Sequence, residues 1–288
     1  MNFYCITDLE NEKEGQLLKD ACEKRSINFF EINTSRNKLD FVNYPHPLAG
    51  DCLYKVTSND LNAKKIEYSL INDSVATFYK SLNSATRQSS ALKLPKFNVL
   101  TPKTVPVLTN NRNLLKTYAD YLGGFPLIVK ALGGKEGIGV MRIDSIQSLY
   151  SVADFLYKNG GNYILREYID IRESIRLVVV GDAVVSSIKY KASNEGDFRS
   201  NRRSGFDHIE SFECDDDIKN TAIKAVNCMD LEFGGVDVLV DEKNNAYVLE
   251  VNCPCQFSEP QIVTGIDIAG IMVDFLIRKS KLILKNNK

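Results

Sequence analysis

The sequence has little of what several functional classes require. It holds only two histidines, and neither His46 nor His208 sits in a nucleophile or acid–base pattern. There is no G-x-S-x-G, so a hydrolase triad has no support. It has no surplus of positive charge: 36 basic against 37 acidic residues leave a formal net charge of −1, which excludes the basic field that a nucleic-acid wrapper needs. No apolar run reaches membrane-spanning length, and the opening M-N-F-Y-C-I-T-D-L-E lacks a basic region ahead of an apolar core, so neither a membrane span nor a cleaved leader is expected. The seven cysteines are dispersed and odd in number, a usage that fits reduced cytoplasmic thiols better than a disulfide framework. A Walker motif and a Rossmann fingerprint are both missing.

What is there is a mixed α/β pattern in a chain of 288 residues, long enough for two or three packed units. Phe3–Thr7 reads as a strand, the segment carrying Leu17, Leu18, Ala21 and Cys22 as an amphipathic helix, and Ile27–Ile32 as a second strand, giving a βαβ opening. A strand resumes at Asp51. Residues 81–88 and the proline-spaced 93–106 read as a connector into a new unit. Beyond it come a strand at Phe125–Ala131, a glycine-rich turn at 133–140, and a helix capped by Ser145 and running through Lys158. A strand at Tyr163–Ile169 follows, then a hairpin folded at Gly181-Asp182 and a helix over Asp215–Met229. A second hairpin over Gly235–Val251 and a helix over Ile266–Ile277 complete the pattern.

The second hairpin carries the most chemistry. A turn near Lys243–Asn244 puts Asp237 opposite Glu250, and Glu250 and Asn252, two apart in an extended strand, point the same way. Hard oxygen donors with no His or Cys among them suit Mg²⁺. A solvated sheet face is the competing reading, although two acids facing each other across strands repel unless a cation lies between them. In G-G-K-E-G-I-G-V, four glycines in eight residues could approach phosphate with bare N–H groups, or form a flexible tip. Lys130 ends a strand of Pro, Leu, Ile and Val, where a lysine wants an anionic partner. D-F-R-S-N-R-R-S-G (197–205) sets three arginines in five positions, either a phosphate or carboxylate fork or a solvated basic loop. Cys253-Pro-Cys255 has no second thiol or imidazole pair at ligand spacing, which disfavours zinc.

In order along the chain, P-L-I-V-K, E-G-I-G-V, R-E-Y-I, I-R-L-V-V-V-G-D-A-V-V, E-G-D-F-R-S-N, G-V-D-V-L-V, L-E-V-N-C-P and T-G-I-D-I-A-G resemble the ATP-grasp carboxylate–amine ligases of RimK type, the α-L-glutamate-ligase-like group, over roughly residues 85–277. The resemblance implies an ATP-grasp fold of α/β (α+β) class with three subdomains: a βαβ-type pre-ATP-grasp unit at 1–84, a central unit with the glycine flap at 85–160, and a unit with the metal site at 161–288. It implies ATP and Mg²⁺ (or Mn²⁺), two ions in all, and a carboxylate and an amine as substrates, from an amino acid, a peptide or a protein tail. Residue by residue, it places Lys130 on phosphate, Gly133, Gly134 and Gly137 in the flap, and Glu167-Tyr168 at adenine. Arg199, Ser200 and Asn201 fall on the nucleotide side, and Arg87 stands where a phosphate-binding lysine is usual. Asp237, Glu250 and Asn252 match the metal ligands, Arg176 an arginine that stabilises the acyl-phosphate, and Arg202 and Arg203 substrate contacts. Ser174 replaces an acid that contacts nucleotide, and C-P-C replaces a small-residue S-P-G. A phosphotransferase or a non-catalytic nucleotide-binding protein on the same fold is the alternative function. Self-association is expected by analogy alone, with no nucleic-acid or membrane partner.

Overall fold

The computed structural model describes residues 1–35, 46–57, 60–82, 89–107, 109–131, 137–190 and 209–286. The chain opens with β1 (Asn2–Thr7), α1 (Glu12–Glu23) and β2 (Asn28–Asn33), and β1 and β2 pair in parallel, as the βαβ reading requires. β3 (Cys52–Lys55) pairs in parallel with the other side of β1, giving the order β2-β1-β3. α2 (Leu61–Leu70), for which the sequence reading had no expectation, covers one face through Ile66 and Leu70 packed on Tyr4, Ile6 and Leu53. The other face meets α1. Both faces of β1 and β3 are covered, which is why these strands read as apolar runs, while the edge strand β2 is largely exposed.

The connector expected at 93–106 is partly ordered instead. A single turn, α3 (Ser90–Lys93), leads to the edge strand β4 (Thr104–Val107). Pro106 is tolerated in β4 because the strand has a partner on one side only, β7. After α4 (Arg112–Tyr121) come β5 (Leu127–Ala131), β6 (Val140–Ile143), α5 (Ile146–Lys158) and β7 (Tyr163–Glu167). Asn111 and Ser145 cap α4 and α5 by accepting backbone N–H bonds. The four strands form an antiparallel sheet, β4-β7-β5-β6. Leu127, Val129, Tyr163 and Leu165 point to the helical side and pack with Leu115, Leu149 and Ala153. Strand alternation then turns Ile128, Lys130 and Arg166 the other way.

The last sheet is antiparallel with the order β10-β9-β8-β11-β12. Its strands are β8 (Ile171–Val180), β9 (Ala183–Tyr190), β10 (Ile209–Ser211), β11 (Phe233–Asp241) and β12 (Ala246–Asn252). Ile175, Leu177, Val179, Val236, Val238 and Val240 bury one face against α6 (Asp216–Cys228). The opposite face is divided. At one end Val178, Val180 and Phe233 join the leading sheet and the long helix α8 (Ile268–Asn286), while the other end opens toward the four-stranded sheet. α7 (Ser258–Thr264) precedes α8. Glu14 of α1, in the first turn of the helix, is buried and accepts from the Ser258 hydroxyl at 2.6 Å.

Phe233 is fully buried and joins the units, meeting Tyr54 edge-on at 5.6 Å, Phe257 edge-on at 6.4 Å and Phe78 at 4.9 Å between centroids. Phe233→Ala is expected to destabilise the protein by about 3–5 kcal/mol in urea unfolding; a loss below about 1 kcal/mol would show that this aromatic cluster does not bind the leading unit to the last sheet.

Candidate active site

The site lies between the two antiparallel sheets. Ile128 and Val140 come from one side and Leu239 and Leu249 from the other, with Glu167 and Tyr168 at one end and Lys130, Asp237 and Glu250 at the other. An apolar slot with charged groups converging at one end is the usual character of a small-molecule site.

The β11–β12 register sets the charged end. Asp237 stands directly opposite Glu250, as the hairpin reading expects, and Gly235 opposite Asn252. Between Asp237 and Val238 the register shifts, so that Val238 pairs with Val248 and Leu249 has no opposite number. This bulge explains a pattern that strict alternation cannot. Val248 is buried in the α6 core, yet both Leu249 and Glu250 line the cleft. A bulge re-aims side chains in this way next to functional sites.

Two opposed carboxylates would repel, and here each is held by a cation. Arg176, directly across from Asp237 on β8, donates Nε to Oδ1 at 2.7 Å and a terminal nitrogen to Oδ2 at 2.8 Å. Both side chains are only 13% exposed. Lys130, from the other sheet, reaches Glu250 Oε2 at 3.1 Å, and this pair is 35% exposed on each side. Asn252 donates Nδ2 to Asp237 Oδ2 and to Glu250 Oε1, at 3.2 Å each. Burial pushes the Asp237 carboxyl above its usual range, which Arg176 opposes without cancelling. Burial works against the Glu250 carboxylate too, but the Lys130 ammonium outweighs it and holds Glu250 below the usual value. Burial would lower the Arg176 guanidinium; the Asp237 charge reverses that and raises it.

The structure thus brings Lys130, Arg176, Asp237, Glu250 and Asn252 to one point, with Glu167 and Tyr168 at the far end of the same cleft. Glu167 Oε1 accepts the Lys103 backbone N–H at 2.7 Å, and the Arg142 guanidinium covers the Tyr168 ring at 4.8 Å. Gly137, at φ 77°, lies in the turn between β5 and β6. Ser174 is buried opposite Leu239. Arg87, Gly133, Gly134, Arg199, Ser200, Asn201, Arg202 and Arg203 lie outside the described residues. Among the described residues no group of three or more His, Cys, Asp or Glu gathers at metal-ligand spacing; the set here is two acids and an amide. All seven cysteines are free, and burial pushes the Cys255 thiol well up, with Arg176 opposing. Cys255 packs on Gly235, where an added Cβ would come within 2.9 Å of its Cβ, so the C-P-C segment fills space beside the acids. Sequence reasoning missed the bulge residue Leu249 and also Arg166, which lines the cleft from β7; only the period-2 alternation of β7 pointed to Arg166.

Arg176→Met leaves Asp237 buried without its counter-ion and is expected to destabilise the protein by about 3–5 kcal/mol. Asp237 in that variant is held neutral to higher pH than in the unfolded chain, so the loss grows as pH rises from the acid range to neutrality. Arg176→Met combined with Asp237→Leu should recover most of it. Urea unfolding at several pH values measures both; a pH-independent loss would contradict the pairing.

The sequence of this chain matches the family model described as a RimK-like ATP-grasp domain over residues 86–276. It is 39% identical over 162 residues to a probable alpha-L-glutamate ligase of Citrobacter koseri, covering 55% of this chain and 53% of that protein. It is 38% identical over 162 residues, with the same coverage of 55% and 53%, to the ribosomal protein bS6–L-glutamate ligase of Escherichia coli K12. The chain therefore spans about half the length of the curated relatives it matches. The solved structure of the D-cycloserine synthetase DcsG superposes with a TM-score of 0.76 at 15% identity, over 97% of this chain and 100% of that one, a likeness of fold. The expected ATP-grasp fold is therefore the observed one, and the chain belongs to the RimK-like ATP-grasp family.

Proposed function

We propose that the protein is an ATP- and magnesium-dependent ligase that joins a carboxylate to an amine, through an acyl-phosphate, to form an amide or peptide bond. The observation that carries this reading is the convergence of Asp237, Glu250 and Asn252 at the end of an apolar cleft, with Lys130 and Arg176 in contact with the two acids. The donor set fits a hard divalent cation: two carboxylates and an amide converge, and a cation between the acids would take over the charge that Arg176 and Lys130 balance. Magnesium, or manganese in its place, would be held by Asp237, Glu250 and Asn252 and would neutralise charge on the β- and γ-phosphates. The reading takes two such ions.

The chain's own residues do the rest by positioning. The slot between Ile128 and Leu249 takes the base, with the Glu167–Tyr168 segment along its edge. Lys130, leaving Glu250, turns its ammonium to phosphate, and Arg176, leaving Asp237, holds the substrate carboxylate and then the acyl-phosphate. Asn252 rotates its amide so that the oxygen replaces the donating nitrogen. A carboxylate oxygen attacks the γ-phosphorus and ADP departs. The amine nitrogen then attacks the acyl carbon, a C–N bond forms, phosphate leaves with the C–O electron pair, and the nitrogen gives up one proton to the departing phosphate. The glycine turn that includes Gly137 would close over the phosphates and keep water from the acyl-phosphate. The division into a leading unit, a flap-bearing central unit and a last unit with the acids belongs to this reading. So does action in a reducing, cytoplasmic setting, which suits seven free cysteines. The relatives named as glutamate ligases support an amino acid, peptide or protein tail as substrate.

Glu250→Gln is expected to remove ADP release that depends on both a carboxylate and an amine, and to remove free phosphate with it. Product mass spectrometry on amino acids and short acidic peptides checks the amide. Turnover at the wild-type rate in Glu250→Gln would remove the metal assignment, and ADP formed without an amine or free phosphate would instead indicate phosphotransfer.

A further inference from the structure

Arg166 has no role in the reading above. It lies on β7 opposite Ile128 of β5 and Thr104 of β4, on the face turned away from the core residues Tyr163 and Leu165, and it lines the cleft with Lys130 and Glu250. Its Nε donates to Thr104 Oγ1 at 3.0 Å, and among the described residues its terminal nitrogens meet no acceptor. That sets it apart from other arginines. Arg25, Arg112, Arg142 and Arg176 each meet a carboxylate, at 2.7, 2.5, 2.8 and 2.7 Å. Burial lowers the Arg166 guanidinium from its ordinary value, with the charge of Glu250 opposing. A partly buried guanidinium with no bonded anion carries a cost that an anionic ligand would offset.

The position indicates which anion. Among the described residues, Lys130 and Arg166 are the cationic side chains lining the cleft; Lys130 reaches Glu250, the acid at its charged end, at 3.1 Å, and the Glu250 charge acts on Arg166. A guanidinium has donors only, in a fork that matches two phosphate oxygens. The adenine edge presents an amino donor beside its N7 acceptor, which suits a guanidinium less well. We propose that Arg166 is a further nucleotide-binding residue, its free guanidinium nitrogens taking phosphate oxygens beside Lys130 while the Thr104 hydroxyl fixes its stem. This rests on the cleft being a nucleotide site.

The test compares ADP with adenosine, both with Mg²⁺, by calorimetric titration of the wild type, Arg166→Gln and Arg166→Lys. ADP affinity is expected to fall about 10- to 100-fold in Arg166→Gln, the span of one charge-assisted contact, and less in Arg166→Lys. Adenosine affinity should stay within about twofold in both, which also shows that the cleft is folded. Equal losses for ADP and adenosine would make Arg166 a structural or base contact, and unchanged ADP affinity would give it no part in binding; either overturns the proposal. A wild type that binds neither ligand would fail the nucleotide reading itself, and this proposal with it.

Discussion

Two carboxylates facing each other across an antiparallel ladder are the constraint around which the protein is arranged. Asp237 and Glu250 are fixed as neighbours by the β11–β12 register, and such a pair is unstable without compensating positive charge. The compensation comes from two directions. Arg176 belongs to the same sheet, whereas Lys130 belongs to the sheet on the far side of the cleft. The site is therefore a closed network in which each acid has a cation and Asn252 donates to both acids. On the proposed function, admission of a divalent cation would release a guanidinium and an ammonium where anionic phosphates and a carboxylate would be held. On that reading metal and nucleotide would favour one another through an exchange of counter-ions. The Lys130–Glu250 pair, exposed at 35% on each side, is easy to part; Arg176–Asp237, at 13%, is the deeper contact.

The rest of the fold serves to hold that pair in place. The bulge at Leu249 lets β12 bury Val248 in the α6 core and still present Leu249 and Glu250 to the cleft. Cys255 packs on Gly235, which stands directly opposite Asn252 and close to the Arg176 side chain. Behind the acids, Phe233 and α8 join the last sheet to the leading parallel sheet, and the bidentate Arg25–Asp274 pair ties α1 to α8 at 2.7 and 2.8 Å. A rigid back and an open front suit a site whose chemistry is chiefly positioning.

Much of this was readable from residues alone, and for identifiable reasons. The βαβ opening, the Gly181 hairpin and the Ser145 cap follow from period and turn chemistry, which are local. The Asp237–Glu250 pairing was only approximately readable: the ladder beside the turn, Val240–Ala246 to Val238–Val248, would by itself set Asp237 opposite Leu249, and the register shift moves it to Glu250. The bulge was not, because nothing local to Leu249 announces an extra residue, and simple alternation would have put Val248 beside Glu250. β4 was mistaken for a connector because Pro106 reads as a break until the strand is known to lie at an edge. Arg166 was passed over within R-E-Y-I because the residues that share its cleft, Glu250 among them, lie far along the chain. The burial of Glu14 has the same cause, its partner Ser258 lying far along the chain.

The opposed acids are tested most directly by a crystal structure with a non-hydrolysable ATP analogue and Mn²⁺, using anomalous scattering to locate the metal. The prediction is a manganese peak within about 2.0–2.3 Å of oxygen atoms of Asp237, Glu250 and Asn252, as expected for a small hard cation, with Arg176 no longer bidentate to Asp237 and Lys130 turned to phosphate. A nucleotide bound in the cleft with Arg176 still paired to Asp237, or manganese held away from these acids, would contradict it.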